Sequence, residues 1–358
     1  MADLTRRALL AAAATLSPAS AVAGTPAFAP VVPGPRLVFP RDHGAHPEFR
    51  TEWWYITGWL EENGAPLGFQ VTFFRTRTGL GEDNPSRFAP RQVLFAHAAL
   101  SDPRTGRLLH GQRIAREGFG LAEASTQDMD VVLDDWRLVR TPVGLLKTQA
   151  AGDGFNLDLT LTPTQPLLLQ GQEGFSRKGP RPGQASYYYS LPHLKVSGVL
   201  GRQGRRRQVR GQAWLDREWS STLLDPSAVG WDWTGVNLDD GGALTAFRVR
   251  DARGRSLWTG GSLRTAEGRT WSAPDGAVAF DPGRTWKSPR TGAVYPVAPT
   301  VRMKTPQGEK RWTLTPLFDD QELDSRPSGG PVYWEGAVRI PGGSGYLELT
   351  GYAAPLRL

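Results

Sequence analysis

The chain repeats itself, and this constrains its folding more than any other feature. At a constant offset of 178, Trp53 matches Trp231, Tyr55 matches Trp233 and Leu60 matches Leu238. Without a gap, Glu61 and Glu62 then match Asp239 and Asp240, Gly64 and Ala65 match Gly242 and Ala243, and Phe69 and Val71 match Phe247 and Val249. Each copy reads as an aromatic-rich strand, an acidic-Gly turn and a second strand of alternating apolar residues, which is a β-hairpin. A looser echo follows, in which Leu159–Pro163 recurs as Trp312–Pro316. Duplication predicts two units, 36–225 and 226–358, with the 53–71 and 231–249 hairpins in equivalent places.

Between those hairpins run further short apolar or alternating stretches: 93–95, 155–161, 187–191 and 345–349. Turn signals separate them, among them Glu62-Asn63-Gly64, Asp102–Gly106 and Asp251–Gly254. Strands at this spacing form sandwiches or barrels, and no long helical periodicity occurs beyond the first residues. The predicted class is all-β: two antiparallel barrels in tandem.

Composition narrows the chemistry. The absence of Cys removes disulfides, thiolate nucleophiles and Cys-ligated metal centres. Five His are present and none follows His193. The net charge of +7 is partly local, since Gly201–Gly211 holds five Arg and no acid. Gly at both ends and strand-like flanks make this a solvated hairpin tip rather than a nucleic-acid patch.

At the N-terminus, Arg6-Arg7 precede an apolar run, Ala8–Leu16, and small residues at Ala19–Ala23 offer cleavage sites. This predicts an export signal over 1–23, twin-arginine or ordinary secretory, then a linker over 24–35 and a periplasmic or secreted mature chain. No other stretch reaches the roughly 18 apolar residues of a membrane helix, so no spanning segment is expected.

Thirteen Trp suggest an aromatic-lined cavity in addition to ordinary core. In strands alternate side chains share a face, so Trp53 and Tyr55 go together with Trp54 opposite, and Trp231 and Trp233 go together with Asp232 opposite. Serine hydrolysis lacks a Gly-x-Ser-x-Gly elbow, and no His lies near Ser220 or Ser221 in sequence. A metal site on His43, His46 and Glu48 lacks a fixed ligand spacing and lies in a Gly/Pro loop, so neither metal nor cofactor is expected.

Four ordered blocks resemble a known family: His43–Tyr55, Tyr187–Pro192, Gly211–Ser221 and Gly230–Trp233. They look like the signatures of the AttH/CrtC lipocalin-like proteins, over nearly the whole mature chain. The resemblance implies tandem lipocalin-like β-barrels. The family contains carotenoid 1,2-hydratases, proteins described as secreted hydrolases, and components associated with ATP-driven export systems. This chain departs from the hydratase members at Arg217, where a His often stands.

Two function classes follow. One is an exported carrier of an extended apolar, isoprenoid or lipid-like molecule. The other is an enzyme that hydrates such a molecule or hydrolyses it. Hydration of an unactivated alkene needs a carboxylic acid kept protonated by burial, and aromatic faces to stabilise the cation. Asp216, Glu218 and Asp232 are the candidate acids. The expected ligand contacts are Glu52, Trp53, Tyr55, His97, Tyr188, Trp219, Trp231 and Trp233. The alternative for each acid is a barrel-mouth carboxylate paired with Arg217, Arg248 or Arg250, which would leave only the carrier.

Overall fold

The computed structural model describes residues 28–356. The expected export segment, 1–23, lies outside the described residues. The chain is two lipocalin-like antiparallel barrels in tandem. Apart from strands and turns, the described residues form three 3₁₀ turns, at Arg41–His43, Pro103–Thr105 and Arg326–Ser328. No helix among the described residues is long and apolar enough to cross a membrane.

The first sheet opens with β1 (Thr51–Glu62) and β2 (Ala65–Arg77), joined at Asn63-Gly64. Both turn residues take positive φ, 52° and 80°, the twist that suits a two-residue hairpin and that Asn-Gly adopts at little cost. β3 (Gln92–Ser101) and β4 (Leu109–Arg116) continue outward from β2. Between them Asp102 accepts from Arg104 N (3.0 Å) and Gly106 closes the turn at φ 66°, as the Asp-Pro…Gly pattern predicts.

A run of short strands follows: β5 (Ala122–Ala124), β6 (Asp130–Leu133), β7 (Trp136–Arg140), β8 (Leu146–Gly152), β9 (Phe155–Pro163), β10 (Leu168–Leu169) and β11 (Phe175–Arg177). The long hairpin β12 (Ala185–Arg202) and β13 (Arg205–Thr222) then returns to pair with β1. Asp153 N donates to His110 O (3.1 Å), which brings the β4 edge against the β8–β9 turn and curls the sheet on itself. The Arg-rich stretch is the tip of the β12–β13 hairpin, where Gln203 and Gly204 take positive φ.

The chain leaves this sheet through 223–227. The second unit comprises β14 (Ala228–Leu238), β15 (Ala243–Asp251), β16 (Ser256–Arg264), β17 (Thr270–Ala273), β18 (Val278–Lys287), β19 (Val294–Thr305), β20 (Gly308–Thr313), β21 (Thr315–Pro316), β22 (Glu322–Asp324), β23 (Val332–Ile340) and β24 (Gly343–Leu349). In both units the first strand lies between the second and the last: β2-β1-β13 and β15-β14-β24. The turns differ: two residues, 63–64, lie between the last paired positions of the first hairpin and five, 238–242, between those of the second. Trp53 therefore faces Phe74 whereas Trp231 faces Val249, a register three residues from the one that the offset of 178 transfers.

Neither interior is hollow. Trp54, Ile56 and Leu60 of β1 join Phe69, Val71, Leu215 and Trp219 in the packed core of the first unit. Val236, Ala246, Phe280, Val301, Trp334 and Leu347 fill the second. The alternate side chains of the same strands meet between the units: Tyr55 and Trp59 pack with Trp214, Trp233, Phe247, Ala337 and Tyr346. Trp59 Nε1 donates to Gly345 O (3.0 Å) and Asn237 Nδ2 to Ala213 O (3.1 Å) across this seam. Gly68 permits the close approach, because a Cβ there would stand 2.6 Å from both Ala337 Cβ and Tyr346 Oη.

Candidate functional site

A cavity of about 350 Å³ opens in the seam rather than inside either barrel. Its walls come from both units because each strand sends every second side chain outward. β1 contributes Trp53 and Tyr55, β2 Gln70 and Phe74, and β3 Phe95 and His97; β13 contributes Asp216 and Glu218. From the other unit come Trp231, Trp233, Phe247, Tyr333 and Glu348, with Lys178 reaching in beside them.

Asp216 is held by three donors. Tyr188 Oη donates to Oδ2 (2.7 Å), and Ser190 Oγ (2.5 Å) and Trp214 Nε1 (2.7 Å) donate to Oδ1. Burial pushes its carboxyl up to about 7 against these hydrogen bonds, and the charge of Glu218 adds to the rise. Glu348 behaves alike. Burial raises it to about 7, against one hydrogen bond from Trp231 Nε1 to Oε2 (2.7 Å), with Asp216 and Glu218 adding repulsion.

Glu335 lies opposite Glu348 on the next strand and accepts from Tyr55 Oη (2.7 Å). Burial, with Glu348 adding, drives its carboxyl well above the usual range. Glu218 is different: Lys178 Nζ stands 3.1 Å from its Oε1, and Ser186 Oγ donates to the same oxygen. Lys178 Nζ also lies 4.1 Å from the Phe247 ring centroid and 4.5 Å from that of Tyr188.

His97 is buried, and desolvation, with His110 adding, lowers it to about 3, so its ring is neutral. Its Nδ1 is 2.9 Å from Tyr333 Oη, to which Gln70 Nε2 also donates (3.3 Å). The cavity thus combines aromatic walls, two carboxyl groups that titrate near neutrality and one carboxylate paired with lysine.

Of the expected contacts, Trp53, Tyr55, His97, Trp231 and Trp233 line the cavity, together with Asp216 and Glu218. Tyr188 lies one layer behind, its hydroxyl between Asp216 and Trp233 Nε1 (3.1 Å). Three residues lie elsewhere. Asp232 is a correction to the acid set: Arg248 Nε (2.6 Å), Arg250 Nε (2.9 Å) and Tyr352 Oη (3.0 Å) bind its carboxylate on the opposite face of β14.

Glu52 and Trp219 are likewise corrected, since both point into the first unit. Glu52 is bound by Arg75 and Arg217, and by His46 N (2.9 Å). Burial would raise it, but the two guanidinium groups hold it well below the carboxylate range. Trp219 stacks on His46 at 3.8 Å and 6°. His46, weighed above as a metal ligand, thus belongs to this buried network; His43 Nδ1 lies 2.6 Å from Tyr189 Oη.

Glu335, Glu348, Tyr333, Lys178 and Phe247 were missed as site residues. Tyr333-Trp334-Glu335 and Tyr346-Leu347-Glu348 satisfy the acid-beside-aromatic criterion that selected Asp216 and Glu218. Lys178 carries no such signal, being placed by the turn after β11.

The fold and the seam define the class: a two-barrel, lipocalin-like protein with an acidic, aromatic-walled cavity between its units. A family profile described as AttH-like matches residues 30–352, and the chain belongs to that family. A Nitrosomonas europaea protein assigned as AttH is similar to it, with 56% identity over 92% of this chain and 100% of its own and a TM-score of 0.85. Kievitone hydratase from Nectria haematococca has 18% identity over 92% of this chain and 98% of its own, with a TM-score of 0.63. No curated protein sequence matches the chain.

Proposed function

We propose that the chain takes up an extended apolar, unsaturated molecule in the seam cavity and adds water across one of its carbon–carbon double bonds. The observation that supports this reading is the pair Asp216 and Glu348, carboxyl groups raised to about 7 at the wall of an aromatic cavity. An acid of that strength retains its proton near neutral pH and still transfers it. The proton goes to one alkene carbon, leaving the neighbouring carbon cationic. The faces of Trp53, Trp231 and Trp233 stabilise that cation. Water then adds to the cation and returns one proton to the carboxylate, so the acid is regenerated. Glu218, with Lys178 Nζ 3.1 Å from its Oε1, lines the same wall. The fold that the chain shares with kievitone hydratase is in keeping with this reading. The export signal expected over 1–23 would place the activity outside the cytoplasm.

The test uses farnesene and lycopene as probes in ¹⁸O-labelled water, with products read by mass spectrometry. The expected result is a hydrated product carrying the label, and a loss of roughly a hundredfold or more in rate for Asp216→Asn or Glu348→Gln. Probe affinity, measured by quenching of tryptophan fluorescence, should stay within a small factor. Probe binding without hydration in the wild-type chain would leave the carrier reading in place. Full activity in both variants would overturn the acid assignment.

A further inference from the structure

Two residues that line the seam cavity each carry a buried polar atom without a hydrogen-bond partner among the described residues: His97 Nε2 and Gln70 Oε1. Buried polar groups are nearly always paired, and one left unpaired costs free energy that a bound molecule can recover. The acids of the same cavity are in a different condition, since Asp216, Glu218 and Glu348 each accept from a side chain of the protein. Both His97 and Gln70 are 1% exposed. The β2–β3 register sets them diagonally on one face, with Thr72 opposite His97 and Gln70 opposite Ala99, within reach of each other for long side chains.

Tyr333 assigns their roles. Its Oη accepts from Gln70 Nε2 (3.3 Å) and lies 2.9 Å from His97 Nδ1. With a donor already on that oxygen, the phenolic proton goes to Nδ1. The imidazole is neutral, because desolvation lowers it to about 3, so its own proton stands on Nε2. Gln70 Nε2 is taken up by Tyr333 and by Thr72 Oγ1 (3.0 Å), which leaves the amide oxygen free. The other rings against the imidazole, Phe74 and Phe95, are apolar. One free N–H and one free carbonyl oxygen, both held to the same phenol, match a hydroxyl group, which accepts one hydrogen bond and donates another. An ether or ketone would leave Gln70 unpaired, and an ammonium group would leave His97 unpaired.

We propose that the seam cavity takes a molecule with a hydroxyl group at one end, the hydroxyl accepting from His97 Nε2 and donating to Gln70 Oε1 while the apolar chain runs toward Asp216 and Glu348. The sheet sets the span. Asp216 pairs with Tyr55, Tyr55 with Thr72 and Thr72 with His97 on adjacent strands, which is three strand spacings, or roughly 14 Å between backbones. The substrate class is then a long unsaturated alcohol rather than a plain hydrocarbon, with the reacting double bond far from the hydroxyl group. This inference rests on the seam cavity as the ligand site, as in the reading above, but it is measured by affinity and does not require the reaction.

The test compares three probes on the full chain by quenching of tryptophan fluorescence: farnesol, which donates and accepts, farnesyl methyl ether, which only accepts, and farnesene, which does neither. His97→Phe should weaken the alcohol and the ether alike, by about tenfold relative to farnesene. Gln70→Met should weaken the alcohol by about tenfold relative to the ether and farnesene. Because each result is a ratio between probes on one variant, a general disturbance of the cavity cancels. A second measurement uses the wild-type chain alone and so does not depend on how the variants fold. In ¹⁵N NMR of the imidazole nitrogens, farnesol should shift the His97 Nε2 signal and farnesene should not.

Probe ratios that neither substitution changes would mean that water pairs the two atoms in the complex, and would overturn the proposal. So would a His97 Nε2 signal that saturating farnesol leaves in place. Hydration of farnesene with no such response would keep the reaction and remove the hydroxyl subsite. The reverse, a hydroxyl-dependent affinity with no labelled product, would keep the subsite and remove the reaction. A chain that binds none of the three probes would refute both.

Discussion

Asp216→Asn should make the chain more stable at pH 8 and flatten the dependence of its stability on pH. Burial displaces the Asp216 carboxyl from its ordinary 3.8 to about 7. The folded chain therefore holds a proton there between about pH 4 and pH 7 that the unfolded chain has released. A raised carboxyl contributes its stability fully below the unfolded value, and that contribution is lost as pH rises through the folded one. The displacement of about three pH units corresponds to an upper limit of about 4 kcal/mol lost between pH 4 and pH 8.

The amide has the shape of the neutral acid and does not titrate. It keeps Oδ1 for Ser190 and Trp214, and replaces Oδ2 with a donor facing Tyr188. Tyr188 must then reorient its proton, at a cost of about 1 kcal/mol. The net expectation is a gain of about 3 kcal/mol at pH 8 and a loss of about 1 kcal/mol at pH 4. Urea unfolding followed by tryptophan fluorescence at both pH values measures the double difference, in which titrating groups remote from Asp216 cancel and only neighbours such as Glu348, which feels its charge, do not. A double difference below about 1 kcal/mol would mean that Asp216 is ionised in the folded chain at neutral pH, and the proton-donor argument would fail with it.

Two further outcomes test the frame around the cavity. Glu52→Gln leaves the buried Arg75 and Arg217 without their shared carboxylate, and should cost about 3–5 kcal/mol in urea unfolding; a cost under 1 kcal/mol would show the network to be dispensable. Gly68→Val places a side chain where Ala337 and Tyr346 of the other unit stand, so calorimetry should show lower stability and two separated transitions. An unchanged single transition would show that the seam accommodates the extra volume.

The fold was legible because its determinants are local. Asn63-Gly64 dictates one turn, Asp102–Gly106 another, and alternating apolar residues select the faces of β1, β2, β14 and β15. The gap-free repeat places the first strand of each unit, but it transfers a hairpin register that the five-residue turn at 238–242 shifts by three positions. Where the cavity lies was not legible. Both barrels fill their interiors, and which outward faces meet is decided by long-range packing at places such as Gly68, for which no local signal exists.

The site was partly legible for a related reason: each strand carries two rows of side chains, and composition mixes them. Glu52 and Trp53 are adjacent in sequence, yet Glu52 is enclosed by Arg75 and Arg217 while Trp53 lines the seam. Asp216 and Glu218 share a face, and Trp219 between the same turns of chain lies on the other, stacked on His46. Asp232 sits opposite Trp231 and Trp233 and meets two arginines instead. Selecting residues by acid–aromatic adjacency gathered members of both rows. Sorting the same residues by parity along β1, β13 and β14 separates them without further information. The row facing the interiors has carboxylates neutralised by arginine, which suits a group that must stay ionised to hold a core together. The row facing the seam has Asp216 and Glu348 with hydrogen-bond donors but no arginine, which allows burial to raise them toward neutrality. The pairing of each carboxyl group therefore follows from the face it occupies, and that division is what leaves carboxyl groups raised to about 7 beside the tryptophans of the cavity.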